Sequence, residues 1–372
     1  MLAIVLLAPS LLGCGCRGKT GVVRFNFILN EDETEYSVQS QASFANGVAE
    51  IPAVHKGKPV TAISGAGFKD AIAFIALTVP ESIMKISNEA FKNCEALTLI
   101  FKGTEPAEIG DNSFGTNTSG LTDRMVKAII VPDAALETYK TEWPKYAARI
   151  YSATADATDG KFIVRDGLLI SYYGKDAKVE IPAGATEIAA NAFWNNELLH
   201  EVDIHAGVEI LGLADGQNHG FGGCRNISKI TINAANPYYT VIDNVIYSKE
   251  TTEPVRILFV SRGLTGKIAI PEGVTEIPEG DMPKNGIEKG FKNCENITEI
   301  ILPSTLTKIG SFAFEGCKKI KAITIPASVT AIGQDAFKGC RKLKIKASIP
   351  ESEKPPAWAE GWDGNRPVEW LN

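Results

Sequence analysis

The sequence predicts a solenoid of short parallel strands, one to each coil of about 23 residues, joined by corner and 3-10 returns. Three observations predict it. Residues 75–97, 298–320 and 321–343 align over 23 residues without a gap. Within them proline recurs at Pro80, Pro303 and Pro326, phenylalanine at Phe91, Phe314 and Phe337, and cysteine at Cys94, Cys317 and Cys340. Leucine and isoleucine keep set places around those landmarks. A fixed period of about 20–30 residues with that pattern marks a leucine-rich-repeat solenoid.

One coil can be read residue by residue. Before the proline of the last copy, Ile325, Ile323 and Ile320 are apolar, and the alternation of the first two is the period of a half-buried strand. Pro326 ends the strand because it cannot donate to a ladder. Val329 and Ile332 return the chain inward, Gly333 allows a tight corner, and Ala336-Phe337 places a ring inside. Cys340 closes the coil. Degenerate copies follow the same template. Leu97, Leu99, Ile109 and Phe114 make one, and Val126, Ile129, Val131 and Pro132 repeat the strand alone. The stretch after Pro132 reads as helical around Leu136–Tyr139 and breaks at Pro144, a cap over an open apolar end. Val179, Ile181, Pro182, Ile188 and Phe193 restart the pattern. Leu199 to Phe221, Ile227 to Ile232 and Ile268 to Phe291 continue it, with insertions around Asp215–Gly220 and Pro278–Gly286.

Two segments stand outside the template. FIVRDGLLISYY (162–173) and YTVIDNVIYSK (239–249) each place apolar runs around Asp-Gly or Asp-Asn, dipeptides that favour a type I′ hairpin turn. They are expected as hairpins edging the solenoid. Residues 151–160 (YSATADATDG) have little apolar content and are expected as a linker. The chain then divides into a signal and tether (1–21), an N-terminal array with a helical cap (22–150), the linker, and a C-terminal array (161–372). Trp358, Trp362 and Trp370 near the end suit a sugar-stacking platform or a plug for the last coil. A terminal repeat has an apolar edge to hide, which favours the plug.

Composition bounds the function. Of 372 residues, 44% are hydrophobic and 22% charged, as in a folded protein rather than a disordered one. The net charge of −6 disfavours a general nucleic-acid binder, which needs a basic footprint. No internal run of 18 apolar residues predicts a membrane helix. Cys94, Cys224, Cys294, Cys317 and Cys340 each follow a Phe by three residues. Stacked coils put such cysteines within disulfide reach, yet a repeated inward position suits a small buried hydrophobe, so thiols are expected. There is no CxxC pair and no histidine beside the cysteines, so neither a metal nor another cofactor is expected.

The sequence carries no catalytic constellation: no G-x-S-x-G, no H-E-x-x-H, no phosphate loop and no dinucleotide fingerprint. The expectation is therefore a non-enzyme. Glu201, Asp203 and His205 alternate along one strand. They suit acid–base work or a cation, and equally a solvated strand face. The positions two and four before each strand-end position are expected to be exposed: Thr78/Ala76, Ile130/Ala128, Glu180/Lys178, Asp203/Glu201 and onward to Thr324/Ala322. Signs alternate there and no aromatic ladder appears, which argues against a polyanion groove on the sheet. Ligand contacts are expected instead on the insertions 194–196, 215–219, 236–239 and 279–285. Trp194, Tyr238 and Tyr239 are the candidate anchors. Core or cap packing is the alternative for each.

Two resemblances add to this reading. Residues 1–12 are almost wholly apolar, and Leu11-Leu12-Gly13-Cys14 resembles the lipobox of bacterial lipoproteins, which implies removal of the leader and lipidation of Cys14. No Lys or Arg precedes the apolar run, a departure from that pattern, and Cys16 is a second candidate. The run I-x-I-P-x-S-V-T-x-I-G-x-x-A-F-x-x-C at 323–340 closely resembles the BspA-like leucine-rich repeats of bacterial surface proteins, over most of residues 45–372. That resemblance implies a cell-surface or secreted binding protein, with some members linked to adhesion to host matrix proteins. Together with the lipobox, the expectation is a lipid-anchored protein of the bacterial envelope, at the outer membrane or cell surface. It would recognise a host extracellular protein or glycan through the solenoid surface. Nucleic acid is not an expected partner, and the membrane is met only through the lipid anchor. The alternative is a structural or assembly partner of another envelope protein, with an enzyme a remote third. The shared motif is structural, so it transfers no binding residue.

Overall fold

A computed structural model describes residues 24–371 apart from 41–46, 72–73, 95–96, 116, 119–121, 124–125, 191, 195, 213–219, 250–254 and 281–289. The expected signal segment 1–21 with Cys14 and Cys16, the insertion at 215–219 and most of that at 279–285 lie outside the described residues. The described chain is a leucine-rich-repeat fold of many short parallel strands and few helices. It forms two compact units that divide between Lys175 and Asp176.

In the first unit the strands Gly47–Glu50, Phe74–Val79, Thr98–Phe101, Ala128–Val131 and Ile150–Ser152 form one parallel sheet in that spatial order. On the opposite side of each coil, Lys58–Ile63, Lys85–Ile86 and Glu108–Ile109 pair in parallel, with Ile63, Ile86 and Ile109 at intervals of 23 residues. Between the two sides the phenylalanines stack. Phe68 and Phe91 have centroids 5.2 Å apart, and Phe91 and Phe114 5.9 Å apart, with interplanar angles of 25° and 16°.

The expected cap is present. Asp133–Ala135 is a 3-10 turn, Leu136–Glu142 an α-helix and Pro144–Arg149 a second 3-10 segment. Trp143 and Tyr146 each lie 5.0 Å from Phe114. The indole of Trp143 donates to the Ala107 carbonyl at 3.2 Å, and the Tyr139 hydroxyl to that of Gly103 at 3.0 Å. Burial raises the Tyr139 phenol to about 12.

Two expectations for this unit are corrected. Residues 151–160 are not a linker. Tyr151 and Ser152 belong to a sheet strand, Ala157–Thr158 pairs antiparallel with Phe162–Arg165, and Asp156 takes two hydrogen bonds from Arg165 at 2.8 and 2.9 Å. Polar side chains here bond to one another and to backbone, so low hydrophobicity did not mean an open tether. Second, Ala76, Ala128 and Ile130 are buried rather than exposed. The hairpin Phe162–Arg165/Leu168–Tyr172 covers them. Ile163, Ile170 and Tyr173 pack against Ala76, Ala128, Ile130 and Tyr151 on the outer face of the sheet. The Thr98 and Ser171 hydroxyls meet there at 2.9 Å. Asp166 and Gly167 both have positive φ, 53° and 81°, as a type I′ turn requires.

The second unit repeats the plan. Lys178–Glu180, Glu201–Ile204 and Lys229–Ile232 are parallel. An antiparallel meander, Tyr239–Ile242, Val245–Ser248 and Ile257–Val260, follows. Thr265–Ala269 then pairs with Asn296–Ile301, and Ala322–Ile325 with Lys344–Ala347 and Val368–Trp370. Phe291, Phe314 and Phe337 stack at 5.4 and 5.3 Å, with interplanar angles of 15° and 2°. Gly333 serves packing rather than turn geometry: a Cβ there would lie 2.3 Å from the Ser311 nitrogen of the preceding coil.

The five described cysteines are buried thiols. Cys317 and Cys340 donate to the carbonyls of Phe291 and Phe314, each at 3.0 Å, and Cys94 and Cys224 to those of Phe68 and Phe193 at 3.0 and 2.8 Å. The residue before each of these cysteines is left-handed: Asn93, Gly223, Gly316 and Gly339. The tryptophans plug the end. Trp362 meets Phe337 edge-on at 6.0 Å, Trp358 lies 4.7 Å from Trp362, and Trp370 stacks on Trp358 at 5.9 Å.

Two predictions follow from this packing. Phe314→Ala removes the middle ring of the three-ring stack and should cost about 3–5 kcal/mol, read as a lower denaturant midpoint. Arg165 holds the Asp156 carboxyl below its usual range. The stability from this lowered pKa is therefore complete above the unfolded value of 3.8 and lost as pH falls through the folded one. Denaturant titrations at several pH values should show the advantage over Asp156→Asn shrinking only in acid.

Candidate functional site

The outer face of the second unit's sheet offers the first candidate, the trio Glu201, Asp203 and His205. Glu201 and Asp203 project from the same face, each half-buried. Both carboxylates already have partners in adjacent coils. Glu201 pairs with Lys229 at 3.3 Å and Asp203 with Lys178 at 2.7 Å. The hydrogen bond from Lys178 holds the Asp203 carboxyl low, with the Thr231 hydroxyl adding to it. His205 is tied down too. Its Nε2 bonds the Pro182 carbonyl at 3.1 Å and its Nδ1 accepts from the Gly207 amide at 3.1 Å. Both ring nitrogens are therefore engaged by backbone groups. The arrangement is a solvated, cross-paired strand face. Among the described residues no group of three or more His, Cys, Asp or Glu is gathered to hold a metal. No described helix is long and apolar enough to cross a membrane.

The second candidate is the rim formed by residues 236–242. The sequence Asn-Pro-Tyr-Tyr turns the chain sharply, and Asn236 organises the turn. Its side chain is 1% exposed. The Asn236 Oδ1 accepts from the amides of Tyr238 and Tyr239, both at 2.9 Å, and its Nδ2 donates to the Val208 carbonyl at 2.8 Å. Lys249 closes the other side, donating to the Asn236 carbonyl at 2.7 Å. So braced, the two tyrosines sit with ring centroids 6.2 Å apart at 49°. Tyr238 is 45% exposed, while Tyr239 is half-buried and donates its hydroxyl to the Glu209 carbonyl at 2.7 Å. Ile210, next to that carbonyl, and Ile242, at the end of the strand, are exposed.

Sequence reasoning named Tyr238 and Tyr239 and missed what holds them. The signal was there: Asn before Pro in a polar stretch marks a side-chain-to-backbone turn. Ile210 and Ile242 were not predicted either, since nothing in the repeat marks them as outward. Trp194 stands apart from the rim. It follows the core ring Phe193, is half-buried, and belongs to the coil of Lys178–Glu180, two strands along the sheet from Lys229–Ile232.

Solved structures give similar chains at low identity. A leucine-rich cell surface protein from Faecalibacterium prausnitzii A2-165 is 21% identical, covering 98% of this chain and 96% of that one, with a TM-score of 0.40. A leucine-rich repeat protein from Eubacterium ventriosum is 18% identical over 95% of this chain and 77% of that one, at 0.41. The pneumococcal vaccine antigen PcpA is 17% identical over 95% and 87%, at 0.39. No curated protein matches. The model of the BspA-type leucine-rich repeat region matches six copies, over residues 40–127, 172–279 and 287–354. That is more than half of the chain, and the protein accordingly belongs to the BspA-type leucine-rich-repeat family.

Proposed function

We propose that the protein is a bacterial surface-binding protein, tethered through a lipidated Cys14, that recognises a host extracellular protein or glycan with the Tyr238–Tyr239 rim. The observation carrying this reading is the rim itself. A large aromatic is held out to solvent by a fully engaged buried asparagine. Rigid exposed tyrosines give contact area at little entropic cost, which is why they serve as binding anchors. The paired outer face and the engaged His205 support a binding role over an enzymatic one. Two of the similar structures carry the description of a cell surface protein or a vaccine antigen, in keeping with a surface location.

A second reading, assembly with another envelope protein, has its own observation in the first unit. Val54 pairs with Pro59, and the Met84 amide bonds the Thr61 carbonyl at 2.8 Å, so Val54 and Met84 flank one strand. They are 58% and 61% exposed, two large apolar side chains turned to water beside the same strand.

A binding screen of the chain from Lys19 onward, against extracellular-matrix proteins and neutral polysaccharides, separates the two readings. A saturable hit should weaken at least tenfold in Tyr238→Ala, a loss of about 1.4 kcal/mol or more, and stay unchanged in Met84→Glu. Silence across the panel from a folded protein, or a hit lost only in Met84→Glu, would remove the rim reading.

A further inference from the structure

The last complete coils carry charge of one sign. Residues 318–346 hold eight lysines and arginines against a single acid, Asp335, in a chain whose net charge is −6. Elsewhere on this unit a lysine faces a carboxylate one coil away: Lys178–Asp203 at 2.7 Å, Lys229–Glu201 at 3.3 Å, Lys267–Glu299 at 3.0 Å and Lys308–Glu276 at 2.7 Å. The alternation stops after Lys318, which Glu295 neutralises at 2.5 Å. One period further on, Arg341 succeeds Lys318 and Lys342 succeeds Lys319. The Lys344 amide bonds the Lys321 carbonyl at 2.9 Å, so those two residues also lie in touching coils. All six are exposed.

Among the described residues no carboxylate forms an ion pair with Lys319, Lys321, Arg341, Lys342 or Lys344. Lys319 reaches only the side-chain oxygen of Asn296, at 2.7 Å. The flanking Lys338 and Lys346 do have partners, Asp335 at 3.0 Å and Glu369 at 3.6 Å. Lys319, Arg341 and Lys342 sit in the turns before the strands, Lys321 just ahead of its strand and Lys344 at the start of its own. Like charges held this close in adjacent coils repel, so the strip works against the stack unless an anion lies over it. Its dimensions suit a chain rather than a point. Arg341 and Lys342 form the turn that leads into the extended Lys344–Ala347, and the row beneath lies about 5 Å away. The one aromatic within 318–346, Phe337, is buried, so bases would find nothing to stack on. A broad anionic surface such as a bilayer would also meet the acidic remainder of the chain. A flexible linear polyanion can follow the basic strip alone.

We propose that Lys319, Lys321, Arg341, Lys342 and Lys344 bind a linear acidic polysaccharide, whose carboxylate or sulfate groups take the place that carboxylates hold between the earlier coils. This strip is separate from the Tyr238–Tyr239 rim and stands whether or not the rim binds anything.

The test is titration of the purified protein with size-defined heparin oligosaccharides and with polygalacturonate fragments, by calorimetry. Saturable binding to at least one probe is expected. It should weaken at least tenfold in Lys319→Glu/Lys342→Glu/Lys344→Glu, and severalfold on raising salt from about 50 to about 200 mM. Tyr238→Ala should leave it unchanged. The milder Lys342→Gln/Lys344→Gln, with melting curves for both variants, guards against a fold defect. Absence of saturable binding to either probe, or equal binding by both charge variants, would overturn the proposal. So would tighter retention by duplex DNA or by phosphatidylserine vesicles than by the oligosaccharides.

Discussion

The structure depends on one contact repeated: a phenylalanine ring lying on the ring of the coil before it. Five interior pairs, from Phe68–Phe91 to Phe314–Phe337, have centroids 5.0–5.9 Å apart and interplanar angles of 2–25°. Such closeness dictates much of the rest of the repeat. The corner must bring backbones together, so Gly333 has no room for a Cβ. The chain must reverse just before the cysteine, so that position is Gly or Asn in a left-handed conformation. The cysteine then donates its thiol to the carbonyl of the phenylalanine one coil back. It is small enough for the column and still able to donate, which neither alanine nor valine could do.

A stack of rings ends in an exposed face, and both arrays solve that problem in the same way. On Phe114 the cap lays Tyr146 at 84°, and on Phe337 it lays Trp362 at 76°. An edge-on ring satisfies the electrostatics of an aromatic pair but offers no parallel face for another coil. The two caps share no sequence. One is a short helix with flanking 3-10 turns, the other a tryptophan-rich loop, and each sends its indole nitrogen back to a repeat carbonyl. What they share is edge geometry at the last phenylalanine.

The repeat was legible because stacking makes a regular demand on residues 23 apart, and regular demands leave a period. The coil template, the hairpin turns at Asp166-Gly167 and Asp243-Asn244, and the caps could all be read from residues. Two things could not. Low apolar content at 151–160 suggested a tether, but Asp156 and Ser152 are held by local hydrogen bonds, which leave no hydrophobic signature. The template alone also gave every sheet the same exposed outer face. In the first unit the outward positions are Ala76, Ala128 and Ile130, where the second unit has Lys178, Glu201 and Lys229. That change from charged to apolar was the trace of the covering hairpin. The candidate site was half legible: aromatic identity pointed to Tyr238 and Tyr239, while Asn236 works through geometry that a period does not record.

Because the interior is fixed by the stack, variation in the array is confined to residues that the stack does not use. The outer face shows two solutions to one problem, that of side chains held about 5 Å apart by the coils beneath them. In the first unit they are small and apolar and are covered by a hairpin. Along much of the second they alternate in sign and neutralise one another across the coils. In the last coils the outer positions are Ala322 and Thr324 beside Lys344 and Lys346, with Glu369 opposite Lys346. The unopposed cations gather mainly in the turns that precede these strands, and there the repeat changes from a source of stability into a source of repulsion. A single lysine on a loop would relax into water. A row of them, repeated one coil apart in turns that the stacked coils keep in register, holds its charge in place, and a fixed array of like charge is what an extended polyanion recognises most readily.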